Sequence, residues 1–379
     1  MRKIAFIAAL LTGLVVANAD DIAKIDKNFR AETLKGGEKI VYRNALRAPF
    51  EVTGFPWWSP GRGELYRMPK NIAKQKVGRG VVSLSHNSTG GAIRFATDSP
   101  LIVIRGFIKR GHDMAHMPRV GSAGVDLVQD CGTPRERLHK PLFPSRAMVD
   151  GEEPFLHVTK IHGDRRMRQF TVFLPLYSGI KSIEIGVTPD AAVAAPKPQK
   201  IKDPICFYGS SVTQGGCASR PANNYTTMLC RAVDAPQVNL GFSGSAKGEP
   251  AVARAIAGLK LSAFVMDYDY NAPSAAHLKK THAAFFRIVR EAQPELPIIL
   301  ISGPRDRYPD AEKRRDIIRA TYEQAVAAGD KNVYFIDGMT FFDEVPRRFC
   351  TVDGSHPTDL GFYIMYQKIL PVLKQALRQ

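Results

Sequence analysis

Four short segments of this chain hold the groups that acyl transfer requires. Gly209-Ser210-Ser211-Val212-Thr213-Gln214-Gly215 offers a hydroxyl at Ser211. Gly241-Phe242-Ser243-Gly244-Ser245 offers a backbone N–H at Gly244, and Asp269-Tyr270-Asn271 offers the amide of Asn271. Asp353-Gly354-Ser355-His356 offers an imidazole three residues after a carboxylate. A serine hydroxyl becomes a nucleophile when a base lies within hydrogen-bond reach. His356 is the one histidine in the four segments and is the candidate base. Asp353 is spaced to orient its ring and to stabilise the imidazolium. The tetrahedral oxyanion needs donors already in place, and the N–H of Ser211, the N–H of Gly244 and the Asn271 amide are three candidates. Singly, each segment has a plain structural reading: Ser in a Gly-Ser-Ser turn as a helix cap, Gly and Asn as turn residues. Their order and placement carry the chemistry.

Placement follows from the elements around them. From Pro204 onward, short apolar runs alternate with amphipathic stretches. Strands are expected at 204–208, 237–240, 261–267, 297–301 and 332–336. Helices are expected at 224–233, 275–292, 310–328 and 360–377. In 275–292 the inward face is Leu278, His282, Phe285, Phe286 and Val289; in 310–328 it is Ile317, Ile318, Tyr322 and Val326. That alternation implies a parallel sheet covered on both faces, a three-layer flavodoxin-like α/β domain. Each of the four segments follows a strand, so all four are expected on the rim at the carboxyl ends of the sheet, where such folds bind ligands.

The preceding half reads differently. Apolar and β-branched segments at 91–97, 101–108, 155–161, 169–174 and 181–187, with turn residues between them, indicate an antiparallel β-sandwich of jelly-roll type. Residues 191–202 mix Pro and Lys without apolar periodicity and read as a linker. Arg2 and Lys3, the apolar stretch Ile4–Val16 and Ala17-Asn18-Ala19 form the pattern of a cleaved signal peptide. The expected organisation is therefore a signal peptide at 1–19, a β-sandwich accessory domain at 20–190, a linker at 191–202 and a catalytic domain at 203–379. Localisation is expected to be exported, periplasmic or extracellular.

The chain has 379 residues, 44% hydrophobic and 23% charged, with a net charge of +17. Those proportions exclude a disordered chain. Beyond the first twenty residues no apolar run reaches the ~18 needed to cross a bilayer. The basic balance suits an acidic polysaccharide, an anionic surface or nucleic acid, or a merely solvated basic surface, and export disfavours nucleic acid. Five cysteines, without a C-x-x-C pair, do not make a disulfide scaffold. Cys206 reads as a core thiol, and Cys217 and Cys350 flank the chemical segments closely enough for a bridge to be considered. His112-x-x-x-His116 has metal-ligand spacing but no evident third ligand. Asn87-Ser88-Thr89 is a glycosylation sequon, and Trp57-Trp58 could stack on sugars or anchor a core.

Residues 205–377 resemble the SGNH (GDSL-type) hydrolases, named for Ser, Gly, Asn and His in four blocks. Gly209-Ser210-Ser211 matches the first block with Ser210 in the place of Asp, which puts the nucleophile at Ser211. Gly244 corresponds to the second block. Asn271 corresponds to the third, although the usual Gly-x-Asn-Asp is reduced to the Asn and Asp269 lies nearby. Asp353, His356 and Pro357 match Asp-x-x-His-Pro. In the first half, Gly124-Val125-Asp126-Leu127-Val128 and Phe173-Leu174-Pro175-Leu176-Tyr177-Ser178-Gly179 resemble a Gly-x-Asp-Leu-Tyr β-domain that precedes some exported members, as does the run from Ser211 to Pro221. The resemblance implies ester hydrolysis without metal or organic cofactor, with deacetylation of polysaccharides the activity suggested by exported members. The expectation is an exported serine esterase acting on acylated carbohydrate. Two alternatives stand beside it: a carbohydrate-binding or scaffolding protein with a decayed hydrolase domain, and a lipase or phospholipase. Oligomeric state is not legible.

Overall fold

The computed structural model describes residues 30–378 apart from 35, 62 and 305–308. The expected signal peptide lies outside the described residues. The first half supplies eleven strands: β1 (Arg30–Thr33), β2 (Lys39–Asn44), β3 (Glu51–Thr53), β4 (Ala92–Thr97), β5 (Leu101–Lys109), β6 (Asp126–Gln129), β7 (Arg137–Leu138), β8 (Phe155–Lys160), β9 (Arg168–Phe173), β10 (Gly179–Val187) and β11 (Val193–Ala194). They form two antiparallel sheets, in the orders β1-β2-β10-β5-β8 and β11-β4-β9-β6-β7, with β3 on the flank of β4. Alternate residues face inward. Ile102 and Ile104 of one sheet meet Ile93, Phe95, Phe170 and Val172 of the other in a single core. Three short helices interrupt the strands: α1 (Arg79–Leu84), α2 (Arg119–Ala123) and α3 (Arg146–Asp150). The segment read as a linker is partly structured, because β11 pairs with β4, Val193 opposite Thr97.

The second half runs β12 (Ile205–Gly209), α4 (Ser211–Gln214), α5 (Tyr225–Ala232), β13 (Gln237–Gly241), α6 (Pro250–Ala257), β14 (Ala263–Asp267), α7 (Ala275–Ala292), β15 (Ile298–Ile301), α8 (Ala311–Ala327), β16 (Val333–Ile336), α9 (Arg347–Cys350) and α10 (Asp359–Ala376). The sheet order is β13-β12-β14-β15-β16, all parallel. This is the flavodoxin-like order, with its switch point beside β12. Strand alternation divides the interior in two. Cys206 and Tyr208 face a core shared with Val252 of α6, Phe285 of α7 and Ile318 of α8. Ile205 and Phe207 face another, shared with Leu229 of α5 and Phe362 and Ile369 of α10. Among the described residues no helix is long and apolar enough to cross a membrane.

One helix was not expected, and one helical expectation needs correction. The short helix α6 gave no periodic signal, being two turns of small residues behind a proline. Helix α8 buries Arg314, Ile318, Thr321 and Ala325, while Val326 is exposed. Ile317 and Tyr322 pack against the same core as Ile318, as expected, and the Arg314 guanidinium turns inward to the buried Asp269 carboxylate. Helix α7 buries every residue expected of it.

The halves share an interior. Met68, Ile72 and Val81 of the first half belong to the same core as β12–β15. Trp57 packs on that core and Trp58 on the sandwich core, so the pair are half-buried anchors. Asn87 is buried and its amide donates to the Tyr177 carbonyl, 3.0 Å away. Its sequon is therefore inaccessible. All five cysteines are free thiols; Cys217 and Cys350 are not joined.

Candidate active site

Strand β12 ends at Gly209, where a Cβ would lie 2.0 Å from Thr213 Oγ1 and 2.3 Å from the Asp267 carbonyl oxygen. Only glycine allows so tight a turn into α4. Ser210 caps that helix, its Oγ accepting from the Val212 N–H at 3.2 Å. The structural role of the Gly-Ser-Ser turn therefore falls to Ser210, leaving the next hydroxyl available. Ser211 Oγ lies 2.9 Å from His356 Nε2. His356 Nδ1 lies 2.7 Å from Asp353 Oδ2. Asp353 Oδ1 accepts from the N–H groups of Ser355 and His356, at 2.9 and 2.8 Å. Burial pushes the Asp353 carboxyl upward, but the backbone N–H and ring of His356 and the N–H of Ser355 outweigh it and hold it at about 2. It is therefore an anion at neutral pH. A hydroxyl proton can thus pass to a ring whose far side faces a fixed negative charge.

Gly244 follows β13 in a left-handed conformation (φ +64°), and a Cβ there would meet open space. Asn271 lies in the short 3-10 turn after β14, its Nδ2 donating to the Phe242 carbonyl at 2.9 Å. An amide nitrogen has two hydrogens, so this bond fixes the side chain and leaves one donor. Asp269 has a structural task. It accepts from the Gly303 N–H at 2.8 Å and pairs with Arg314. The structure thus brings Ser211, His356, Asp353 and the Gly244 and Asn271 segments to one rim.

Several residues around the site stand in quoted sequence motifs that gave them no part in the chemistry. Tyr177, at the end of the Phe-Leu-Pro-Leu-Tyr segment, is buried, and its hydroxyl donates to the Ser211 carbonyl at 3.3 Å. Gln214 Nε2 donates to Asn87 Oδ1 and the Leu176 carbonyl, while its Oε1 accepts from the Ser243 N–H at 3.0 Å. One side chain therefore links the nucleophile turn, the Gly244 loop and the β-domain. Asp126, from the Gly-x-Asp segment, is fully buried and accepts from Arg220 Nε at 2.7 Å and the Ala222 N–H at 2.8 Å. His116 lies in a loop, with its ring centre 5.7 Å from that of His356. Cys217 follows the α4 turn at φ +73°. Its thiol is pushed up to about 12 by burial and by the nearby Asp353 charge.

Residues 202–374 match the model of the GDSL-like lipase/acylhydrolase family. Residues 40–193 match that of the N-terminus of SGNH-hydrolase-type esterases, the GxDLY domain. No curated relative matches in sequence. Among solved structures, the chain is similar to a GDSL-like lipase from Bacteroides ovatus, at 28% identity and TM-score 0.77, over 89% of this chain and 98% of that one. It shares its fold with the salicylyl-acyltransferase SsfX3 of a tetracycline biosynthetic pathway (18% identity, TM-score 0.71, 93% and 100% covered). It also shares it with a family two carbohydrate esterase from Clostridium thermocellum in complex with cellohexaose (13% identity, TM-score 0.58, 77% and 94% covered).

Proposed function

Because the chain belongs to the GDSL-like lipase/acylhydrolase family and is a carboxylic ester hydrolase, we propose that Ser211, His356 and Asp353 are its catalytic triad and that it is an exported enzyme that removes small acyl groups, acetyl foremost, from a carbohydrate. The observation that carries this reading is the unbroken chain from Ser211 Oγ through the His356 ring to Asp353, with links of 2.9 and 2.7 Å.

Ser211 Oγ attacks the ester carbonyl carbon as His356 Nε2 takes its proton. The developing oxyanion is held by the N–H of Ser211, the N–H of Gly244 and the free hydrogen of the Asn271 amide. The C–O bond to the sugar breaks as His356 returns the proton to the leaving oxygen. Water, deprotonated by the same ring, then attacks the acyl carbon; the bond to Ser211 Oγ breaks, His356 returns the proton to that oxygen, and the acid is released. Asp353 holds the Nδ1–H tautomer and stabilises the imidazolium throughout.

Carbohydrate as the leaving group is supported by the shared fold with the cellohexaose-bound esterase. Export is supported by the segment from Arg2 to Ala19. The test is Ser211→Ala, which should lower p-nitrophenyl acetate hydrolysis by ~10³-fold or more with the circular dichroism spectrum unchanged. Turnover like the wild type's would end the assignment. A series of acyl chain lengths separates substrates: rates that rise beyond butyryl point to lipid esters instead.

A further inference from the structure

We propose that His116, Cys217 and His356 form a capture site for a borderline-soft divalent cation, zinc foremost, and that its binding switches the esterase off. The inference rests on the reading of His356 as the catalytic base. The ligand atoms of the three side chains all lie within 4.8 Å of one another. They come from three separate parts of the chain: the loop before α2 in the β-domain, the turn after α4, and the loop before α10. Zinc–nitrogen bonds of about 2.0–2.1 Å and zinc–sulfur bonds of about 2.3 Å hold tetrahedral ligands about 3.3–3.7 Å apart. The site must therefore contract by about 1 Å. His116 is exposed on its loop and can close that distance by rotating its side chain. Cys217 is buried in the packed turn behind the nucleophile and acts as the fixed point.

The donor set selects the ion. Two imidazoles and one thiol suit zinc and its borderline neighbours, whereas magnesium and calcium prefer oxygen. Asp353 on Nδ1 of His356 supplies the carboxylate–histidine pairing that raises the basicity of the other ring nitrogen. That nitrogen, Nε2, now faces Ser211 Oγ. A cation bonded to Nε2 displaces this hydrogen bond and occupies the lone pair that would accept the serine proton. As the Sγ–metal bond forms, the thiol proton leaves to solvent.

The test uses the mature full chain with zinc chloride, magnesium chloride or cobalt chloride. Zinc should inhibit p-nitrophenyl acetate hydrolysis reversibly, with recovery on adding EDTA, and magnesium should not. Cobalt should produce a thiolate-to-metal absorption band that Cys217→Ser abolishes. His116→Ala and Cys217→Ser should retain basal hydrolysis and need about ten-fold more zinc, or higher, for half-inhibition. Should Cys217→Ser fail to fold, the exposed His116→Ala decides the matter alone. Unchanged zinc sensitivity in His116→Ala overturns the site. A cobalt band with unaltered hydrolysis leaves the ligand set standing and overturns the assignment of His356 as base, so the two failures are distinguishable.

Discussion

Both oxygens of Asp353 are committed to the loop that follows it: Oδ2 to the His356 ring, and Oδ1 to the backbone of Ser355 and His356. The same bonds that hold the carboxyl near 2 also fold the loop that presents the imidazole. The sign of the resulting pH dependence is fixed by linkage. The folded value lies below the ordinary 3.8, so the stabilisation is complete above about pH 4 and is lost as pH falls toward 2. Asp353→Asn should therefore flatten the acid limb of the melting-temperature profile between pH 4 and 2. In the proposed mechanism it should also lower kcat by ~10³–10⁴-fold at neutral pH, because the ring loses its fixed tautomer. An acid limb identical to the wild type's would mean that the carboxylate does not hold this loop. Ser211, Asp353 and His356 were legible because each sits in a short segment whose meaning is local. Tyr177, Gln214 and Arg220 stood in quoted motifs but their roles were not legible, since their partners lie 34 to 127 positions away in the sequence. Only the folded chain gives them a role.

Strand ends set the geometry that these residues use. Asp267 closes β14 with its side chain fully buried. It accepts from Tyr225 Oη at 2.8 Å and from Thr213 Oγ1 at 3.2 Å, and Tyr225 opens α5 while Thr213 lies in α4. One carboxyl therefore braces the two helices that follow β12, including the one that carries Ser211. Burial pushes it up to about 7, against the lowering effect of those two hydroxyls. In the unfolded chain the same group ionises near 3.8. Between those values the native state holds a proton that the unfolded state has lost, so this group makes stability fall as pH rises from about 4 to about 7. Asp267→Asn cannot ionise and should remove that slope. The melting temperature of the variant relative to wild type should climb across this window and level off above it. A constant difference from pH 4 to 8 would show that the carboxyl ionises at its ordinary value. The sequence displayed β12–β16 and α7 clearly, because apolar strands and a five-residue helical face are strong patterns. On α8, Ile317, Ile318 and Tyr322 pack on the core as expected, Val326 does not, and the inward position 314 went unread because it is a charged residue whose partner, Asp269, lies on another element. Helix α6 is too short for periodicity to register.

At the scale of the molecule, the β-domain is bonded into the catalytic half. Arg67 is the clearest joint. It is fully buried, and its guanidinium donates to the carbonyls of Asn87 (2.9 Å), Leu84 (2.6 Å), Asn239 (2.6 Å) and Gly241 (3.1 Å), with its plane over the Phe242 ring. Two of those carbonyls belong to the β-domain and two to β13, directly before the loop that presents Gly244. Alongside it, Gln214 and the Asp126–Arg220 pair cross the same junction. Composition changes at residues 191–202, and the contacts that unite the halves run elsewhere. Arg67→Met keeps much of the volume and strands four buried carbonyls, a loss of at least ~3 kcal/mol. Calorimetry should show one cooperative transition in the wild type and one transition, shifted downward, in the variant, because the four carbonyls are shared between both halves. The displaced Gly241–Phe242 backbone should also lower kcat for p-nitrophenyl acetate more than it raises KM, since the oxyanion donors act on the transition state. Two separate transitions, with only one of them moved by the substitution, would mean that the halves unfold independently and that the buried guanidinium serves one half alone.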